Sequence, residues 1–349
     1  MQLQPRGKPP VGIVFDSDMG NSIDDALALA LLYGLDGKNE TRVVSVSVSK
    51  SNLKAAAFCE VVGNFYAGGP SPFRRALPIG LSLDGKMPED TPLLTVPLSK
   101  KDAEGKSVYT HSIEKPNDTA DPVPLIRNAL TAQHDDNAIV VMVGPATSMA
   151  KVLDVPGAKE LIARKVRFLS LMGGAYPEGD PEFNIKADIP AAKRVFAEWP
   201  TPIVASGFEV GEKLLYPGSS IETDFAWSPN HPVADAYRAQ QQMPYDAPTW
   251  DMTAVLYAVR PEEGYFKLSD PGTITVLDDG RTRFAPSAQG KHRYLILDPA
   301  QKDRIIKTFV EIASAKPVPR QRFRPPQQQE QEKILPPKPP EVKPGTPAP

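Results

Sequence analysis

Val11–Leu32 reads VGIVFDSDMGNSIDDALALALL: a buried-strand run, four aspartates in ten residues, then an amphipathic helix pattern. Asp16, Asp18, Asp24 and Asp25 are thereby crowded around the C-terminal end of one strand. Carboxylates this close raise one another's pKa unless a cation neutralises them, so a hard divalent metal is the economical explanation. The plainer alternative is a polar strand-to-helix loop in which Asp24 and Asp25 favour a helix N-terminus. It accounts for two of the acids and leaves the other two unexplained.

Working outward, strand-like and helical stretches alternate. Val11–Phe15, Val43–Val48, Ala138–Val143, Val166–Met172 and Pro202–Ala205 read as buried strands. Asp24–Leu35, Leu53–Ala67, Thr147–Leu153 and Ile189–Glu198 read as helices, the last opening on Asp188 and Pro190. This alternation predicts an α/β fold: an open, mostly parallel sheet with helices on both faces and a Rossmann-like core. In such sheets ligands bind at the carboxyl ends of the strands, which is where the aspartates fall.

Composition excludes several classes. The chain has 349 residues, 41% of them hydrophobic, and a formal net charge of −2, enough to bury a large core. No basic stripe suggests nucleic-acid binding, and no run nears the ~18 apolar residues that span a bilayer. Cys59 is the lone cysteine, so an intrachain disulfide is excluded; within AAAFCEVVGNFY it reads as a small core residue. Residues 1–10 read as a flexible N-terminus without the apolar run of a secretory signal. The compartment stays open, cytoplasmic or, after signal removal, periplasmic or secreted. In residues 317–349, 11 of 33 are proline, which predicts an extended tail. Residues 11–316 remain as the catalytic domain. Within it, the Pro/Asp/Lys-rich stretch Leu77–Asp121 reads as a long loop of the kind that borders sites.

Three further clusters accompany the first. Gly173-Gly174-Ala175 ends a strand and is followed by Glu182-Phe183-Asn184-Ile185, a pair of hydroxyl-recognising groups or simply a turn into a capped helix. Val143-Gly144-Pro145-Ala146-Thr147-Ser148 joins a strand to a helix. Thr249-Trp250-Asp251-Met252 puts an acid at the start of a buried helix.

Together these segments resemble one family, the inosine-uridine-preferring nucleoside hydrolases. DSDMGNSIDDALAL is similar to its DTDxGxDDAxAL signature, and VGPATSMAKVL to its GPLTN segment. LMGGAYPEGDPEFNIKADIPAAKRVF resembles its MGG…EFNIxxDPEAA block, and WDMTAVLYAVRPE its HDPLA segment. The four motifs keep the family's order across roughly residues 11–262. The resemblance implies calcium-dependent hydrolysis of the N-glycosidic bond of a ribonucleoside or related N-riboside, with no nucleic-acid or membrane partner. A homodimer or homotetramer is the assembly it leaves open.

Carried over, Asp18 would be a Ca2+ ligand and the base that activates water. Asp25 and Asp251 would be further ligands, and the Val143 carbonyl the main-chain ligand. Asp24, Asn21, Glu182 and Asn184 would hold the sugar, and Trp250 would stack on the base. The residue types suit the chemistry, because anionic groups stabilise oxocarbenium character and a hard cation takes six to eight oxygens. The chain also departs from the pattern. Two extra residues separate Asp18 from Asp24, Ser148 replaces a usual Asn, and Trp250 stands where a histidine often precedes the last aspartate. Tryptophan cannot protonate a leaving group.

His111, His134, His231 and His292 fall outside the motifs and read as surface or capping residues. His111 and His231 are the two that could overhang the site, and Tyr237 and Arg238 could reach it from a flap. Two other readings compete. A haloacid-dehalogenase-like phosphatase would use Asp16 and Asp18 as its DxD but gives no place to Asp24-Asp25 or the EFN block. A non-catalytic calcium-dependent nucleoside or sugar binder is favoured by the absent histidine.

Overall fold

A computed structural model describes residues 9–68 and 77–318. The flexible start expected before residue 9 and nearly all of the proline-rich tail lie outside the described residues.

The strands are β1 (Val11–Ser17), β2 (Thr41–Lys50), β3 (Ile79–Lys86), β4 (Ala138–Met142), β5 (Val166–Met172) and β6 (Ile203–Ser206). They continue as β7 (Leu215–Tyr216), β8 (Ala247–Pro248), β9 (Phe266–Leu268), β10 (Gly272–Val276), β11 (Thr282–Pro286) and β12 (His292–Leu297). The first seven helices are α1 (Ile23–Gly37), α2 (Leu53–Tyr66), α3 (Pro92–Ser99), α4 (Pro122–Thr131), α5 (Thr147–Val152), α6 (Ala158–Lys165) and α7 (Phe183–Ala187). The rest are α8 (Ile189–Glu198), α9 (Phe208–Gly211), α10 (Gly218–Thr223), α11 (Pro232–Gln240), α12 (Trp250–Val259) and α13 (Lys302–Ala313).

The main sheet runs β11-β10-β12-β6-β5-β4-β1-β2-β3, with β9 paired to β12. From β6 to β3 every pairing is parallel. The antiparallel β10 and β11 close one edge. Two apolar cores result, one packing α1, α2, α12 and α13 on one face and the other packing α4, α5, α6 and α8 on the opposite face. This is the expected α/β fold.

β1 lies between β2 and β4, so the strand order reverses beside it. That reversal opens a crevice at the carboxyl ends of the strands. α1 is buried on nearly all sides, from Ile23 through Leu32, and so cannot shift without breaking the core. Its start is fixed by the Ser22 N–H, which donates to Asp25 Oδ2 at 3.3 Å. The pairing strand–acidic loop–buried helix therefore places carboxylates rigidly at the crevice.

Leu77–Asp121 departs from the expected loop. It contains β3 and α3, and it is pinned down: Glu60 accepts from the Ser112 and Ile113 backbone N–H groups at 2.9 and 3.1 Å. Lys100 and Tyr109 both bind Asp235 of α11, at 2.7 and 2.5 Å. Thr91 donates to the Gly20 carbonyl at 2.8 Å, so this segment does border the aspartate loop. Gly20 has φ +91, and a Cβ there would strike Leu94 at 2.5 Å. Only glycine suits both the backbone and the space. Among the described residues, no helix is long and apolar enough to cross a membrane.

Candidate active site

All four aspartates of the loop are buried, as is Asp251 at the start of α12. The hydrogen bonds tie them into one basin. The Ser17 hydroxyl donates to Asp25 Oδ1 at 2.6 Å. The Asp251 N–H donates to Asp24 Oδ2 at 3.0 Å, and Ser22 Oγ donates to the other Asp24 oxygen. The Asp25 and Asp251 carboxyls are themselves hydrogen-bonded to each other. Asp18 Oδ2 is buried and has no hydrogen-bond partner. A carboxylate oxygen left bare in this way requires a proton, a water or a cation.

The electrostatics agree. Burial, followed by the charge of Asp25, raises the Asp18 carboxyl well above the usual range. Burial, followed by Asp24, Asp25 and Asp18, does the same to Asp251. Asp24 is pushed up to about 7, mainly by burial and then by Asp25. Like charges that elevate one another across three segments identify a site short of positive charge.

Asp16 stands apart. It faces the other side of the sheet, where Ser47 hydrogen-bonds one of its oxygens while its Oδ2, like that of Asp18, is buried without a partner, and burial pushes it up to about 7. Its backbone carbonyl accepts from the Val143 N–H at 2.8 Å, bracing the loop. Gly144 follows, where a Cβ would lie 2.6 Å from both the Asp18 nitrogen and Ser49 Oγ. The glycine lets the β4 end press directly on the aspartate loop.

The remaining motif residues are brought to the same crevice, with more local duties. Glu182 caps α7, its carboxylate accepting from Gly174, Asn184 and Ile185 N–H groups at 3.0–3.1 Å. Asn184 Nδ2 donates to the Val143 and Met172 carbonyls, both at 3.3 Å, so it fixes the very carbonyl expected to face a metal. That oxygen keeps a second lone pair. Asn21 is exposed on the loop, where its backbone N–H donates to the Asp18 carbonyl at 3.2 Å.

Hard oxygen donors surrounding a bare carboxylate oxygen suit a divalent cation such as Ca2+. As the side chains lie, the described residues form no ready-made group of three or more metal-binding His, Cys, Asp or Glu. Internal hydrogen bonds to Ser17, Ser22 and Asp251 hold the acids instead.

On the far side of the crevice, Trp250 stacks on Phe208 with centroids 5.4 Å apart and rings inclined by 25°. Its indole N–H donates to the Phe208 carbonyl at 3.1 Å, and Phe208 is 40% exposed. This is an aromatic shelf with its polar handle turned inward. Glu209, next along α9, accepts from the Tyr176 N–H at 3.2 Å and is raised by burial.

The histidines and flap residues need correction. His231 is sealed by Phe65, Tyr66, Phe225 and Trp227 and overhangs nothing. His292 is buried on β12, where its Nδ1 accepts from the Ile274 N–H at 2.9 Å. Tyr237 is fully buried, its hydroxyl bound to the Tyr216 and Tyr245 carbonyls at 3.3 and 2.8 Å. Arg238 pairs with Glu222 at 2.9 Å. His111 contacts the Ile113 carbonyl at 2.9 Å within its own pinned segment. The flap reading fails because tertiary packing buries or pairs these groups. Sequence reasoning also passed over Lys50, which closes β2 and is 2% exposed. A lysine ending a β-rich run gave no signal of burial.

The site is thus a set of buried, mutually elevated carboxylates at the switch point of an open α/β sheet. The chain belongs to the inosine-uridine preferring nucleoside hydrolase family, whose model matches residues 13–310, and it is an N-ribohydrolase. Members of this family generally use a divalent metal ion. The inosine-uridine preferring nucleoside hydrolase of Bacillus anthracis is 17% identical, with a TM-score of 0.62, over 87% of this chain and 99% of its own. An inosine-guanosine nucleoside hydrolase is 16% identical, with a TM-score of 0.66, over 86% and 98%. The type III effector XopQ, solved with adenosine diphosphate ribose, is 16% identical, with a TM-score of 0.60, over 90% and 95%. At such identities the likeness is one of fold. No curated protein matches the chain.

Proposed function

We propose that residues 11–316 form a calcium-dependent enzyme that hydrolyses the N-glycosidic bond of ribonucleosides or a related N-riboside, giving ribose and free base. The observation that carries this reading is the bare, buried Asp18 Oδ2 among Asp24, Asp25 and Asp251. Asp18, Asp25, Asp251 and the Val143 carbonyl would hold the cation. Bound there, calcium would supply Lewis-acid polarisation of water and of the sugar diol.

The chain's own residues do the rest. Asp18 accepts the proton of the attacking water at Oδ2. Asp24, steadied by Ser22 and the Asp251 N–H, and the neighbouring acids stabilise positive charge growing on the sugar. Asn184 keeps the Val143 carbonyl in place, and the Glu182 cap holds the Gly174 turn against it. The Phe208–Trp250 shelf offers a face for the base.

A screen of nucleosides and p-nitrophenyl riboside, with p-nitrophenyl phosphate alongside and with and without chelator, tests the reading. Chelator-sensitive release of base is the expected result. Phosphate release without base release would return the phosphatase reading. One observation favours a second reading, a calcium-dependent nucleoside or sugar binder: the Trp250 indole N–H is already donated to the Phe208 carbonyl. Nucleoside binding in calcium, with no cleavage of any substrate, would establish that alternative.

A further inference from the structure

β11 is the outermost strand of the main sheet and pairs with β10. A strand in that place presents a row of unpaired backbone groups. The turn after β5 takes some of them: the Phe284 N–H donates to the Pro177 carbonyl at 2.9 Å, and Arg283 bridges to Glu178. Thr282, 1% exposed at the start of β11, extends this contact toward the crevice with its side chain. Its hydroxyl accepts from the Ala175 N–H and donates to the Ala175 carbonyl, both at 3.1 Å. A hydroxyl has the proton and the lone pairs to do both at once. Thr282 is itself held opposite Val276, in a hairpin whose turn is closed by the Leu277 N–H on the Arg281 carbonyl at 2.8 Å.

The neighbours of Ala175 lead to both halves of the site. The Gly174 N–H donates to Glu182 at 3.0 Å, and the Gly174 carbonyl accepts from the Phe208 N–H at 2.8 Å. The Tyr176 N–H donates to Glu209 at 3.2 Å. Glu182 is on the side proposed for the sugar, and Phe208 stacks on Trp250 in the shelf proposed for the base. Ala175 is therefore the middle of a three-residue bridge between the two, and Thr282 is the side chain that grips it.

We propose that Thr282 is a positioning residue of the site: through Ala175 it fixes the spacing between the Glu182 cap and the Phe208–Trp250 shelf, and so sets how well one ligand spans both. The inference rests on the nucleoside reading of the site. Losing the hydroxyl strands the N–H and the carbonyl of a half-buried residue, a cost the turn relieves by moving. Groups that grip two parts of one ligand lose it when displaced by about 1 Å. Asp18, Asp25 and Asp251 lie on other elements and keep their places.

Steady-state kinetics on inosine and p-nitrophenyl riboside, with calorimetric titration of calcium chloride, test this on the full chain. Thr282→Val keeps the shape without the hydroxyl. It should raise KM for both substrates about tenfold, the scale of one or two net hydrogen bonds, with kcat changed by less than about threefold. Calcium affinity should stay at the wild-type value, and Thr282→Ser should restore KM. If wild type binds nucleoside without cleaving it, the same tenfold loss should appear in Kd. An unchanged KM or Kd in Thr282→Val, an equal rise in Thr282→Ser, or a tenfold fall in calcium affinity overturns the inference. If Thr282→Val does not fold, Thr282→Ala, which leaves room for a water in place of the hydroxyl, should fold and show the raised KM. Failure of both to fold would make Thr282 a residue of the fold alone and overturn the inference while the functional reading stands. A wild type that neither binds nor cleaves any riboside overturns the functional reading and this inference with it.

Discussion

The two sides of the crevice differ in how their polar groups are used. The side proposed to hold the sugar, at the ends of β1 and β4, crowds Asp18, Asp24, Asp25 and Asp251 until their pKa values rise together and one Asp18 oxygen stays bare. The side proposed to hold the base, at the end of β6, commits two of its polar groups internally: Trp250 to the Phe208 carbonyl, Glu209 to the Tyr176 N–H. One side holds charge in readiness for a cationic transition state. The other is a shelf that can bind a base without protonating it. On the proposed function, hydrolysis would proceed by activating the sugar, with little help for the departing group.

The largest effect should come from removing the acid at the centre of the sugar side. Asp25→Ala takes away the partner of the Ser17 hydroxyl and of the Ser22 N–H at once, and it should abolish both calcium binding by calorimetry and base release. Activity lost with metal binding intact would make Asp25 a substrate group instead. Asp18→Asn is gentler. It keeps an oxygen and the side-chain shape but removes the proton acceptor, so calcium should still bind while turnover falls ~10²–10⁴-fold, the usual scale for a general base. A variant keeping a third of the wild-type rate would mean that another group activates the water.

On the base side the effects should be smaller and depend on the substrate. p-Nitrophenyl riboside, whose leaving group needs no proton, should be cleaved much faster than inosine or uridine. Trp250→Ala should weaken nucleoside binding by about 1–3 kcal/mol, the scale of one base–aromatic stack. Equal wild-type rates on inosine and p-nitrophenyl riboside would break the contrast and point to a donor elsewhere.

Much of this was legible in sequence because fully buried parallel strands read as plain apolar runs. β1, β2, β4, β5 and β6 fall where Val11–Phe15, Val43–Val48, Ala138–Val143, Val166–Met172 and Pro202–Ala205 predicted them. β10 and β3 escaped, since antiparallel β10 alternates buried and exposed over only five residues and parallel β3 ends in charged and glycine residues. The sugar side was legible because its acids are neighbours along the chain. Lys50, His231 and Tyr237 were not, because their burial is made by distant segments: His231 lies among Phe65, Phe225 and Trp227. A strand-end lysine ordinarily reads as a solvated edge residue.

His231 gives the mildest test, and it asks whether the base side really lacks a hidden donor. The ring is 1% exposed, its Nδ1 has no partner, and burial pushes its pKa down to about 3 from an ordinary 6.5. A histidine kept neutral in the fold is protonated in the unfolded chain as pH falls below 6.5, while the folded protein resists until about 3. The unfolded state then binds more protons, so stability drops as pH is lowered through that window, by at most about 1.4 kcal/mol per pH unit for this one group. His231→Phe removes the group and places an aromatic ring in an aromatic cage. It should leave base release at neutral pH unchanged and shift stability there by no more than about 1 kcal/mol. Its melting temperature should fall less steeply than wild type between pH 6.5 and 4, with His292 contributing equally to both proteins. Parallel curves would show that the buried ring does not set the acid sensitivity. A loss of inosine hydrolysis without loss of fold would bring His231 back as the missing acid and end the contrast between the two sides.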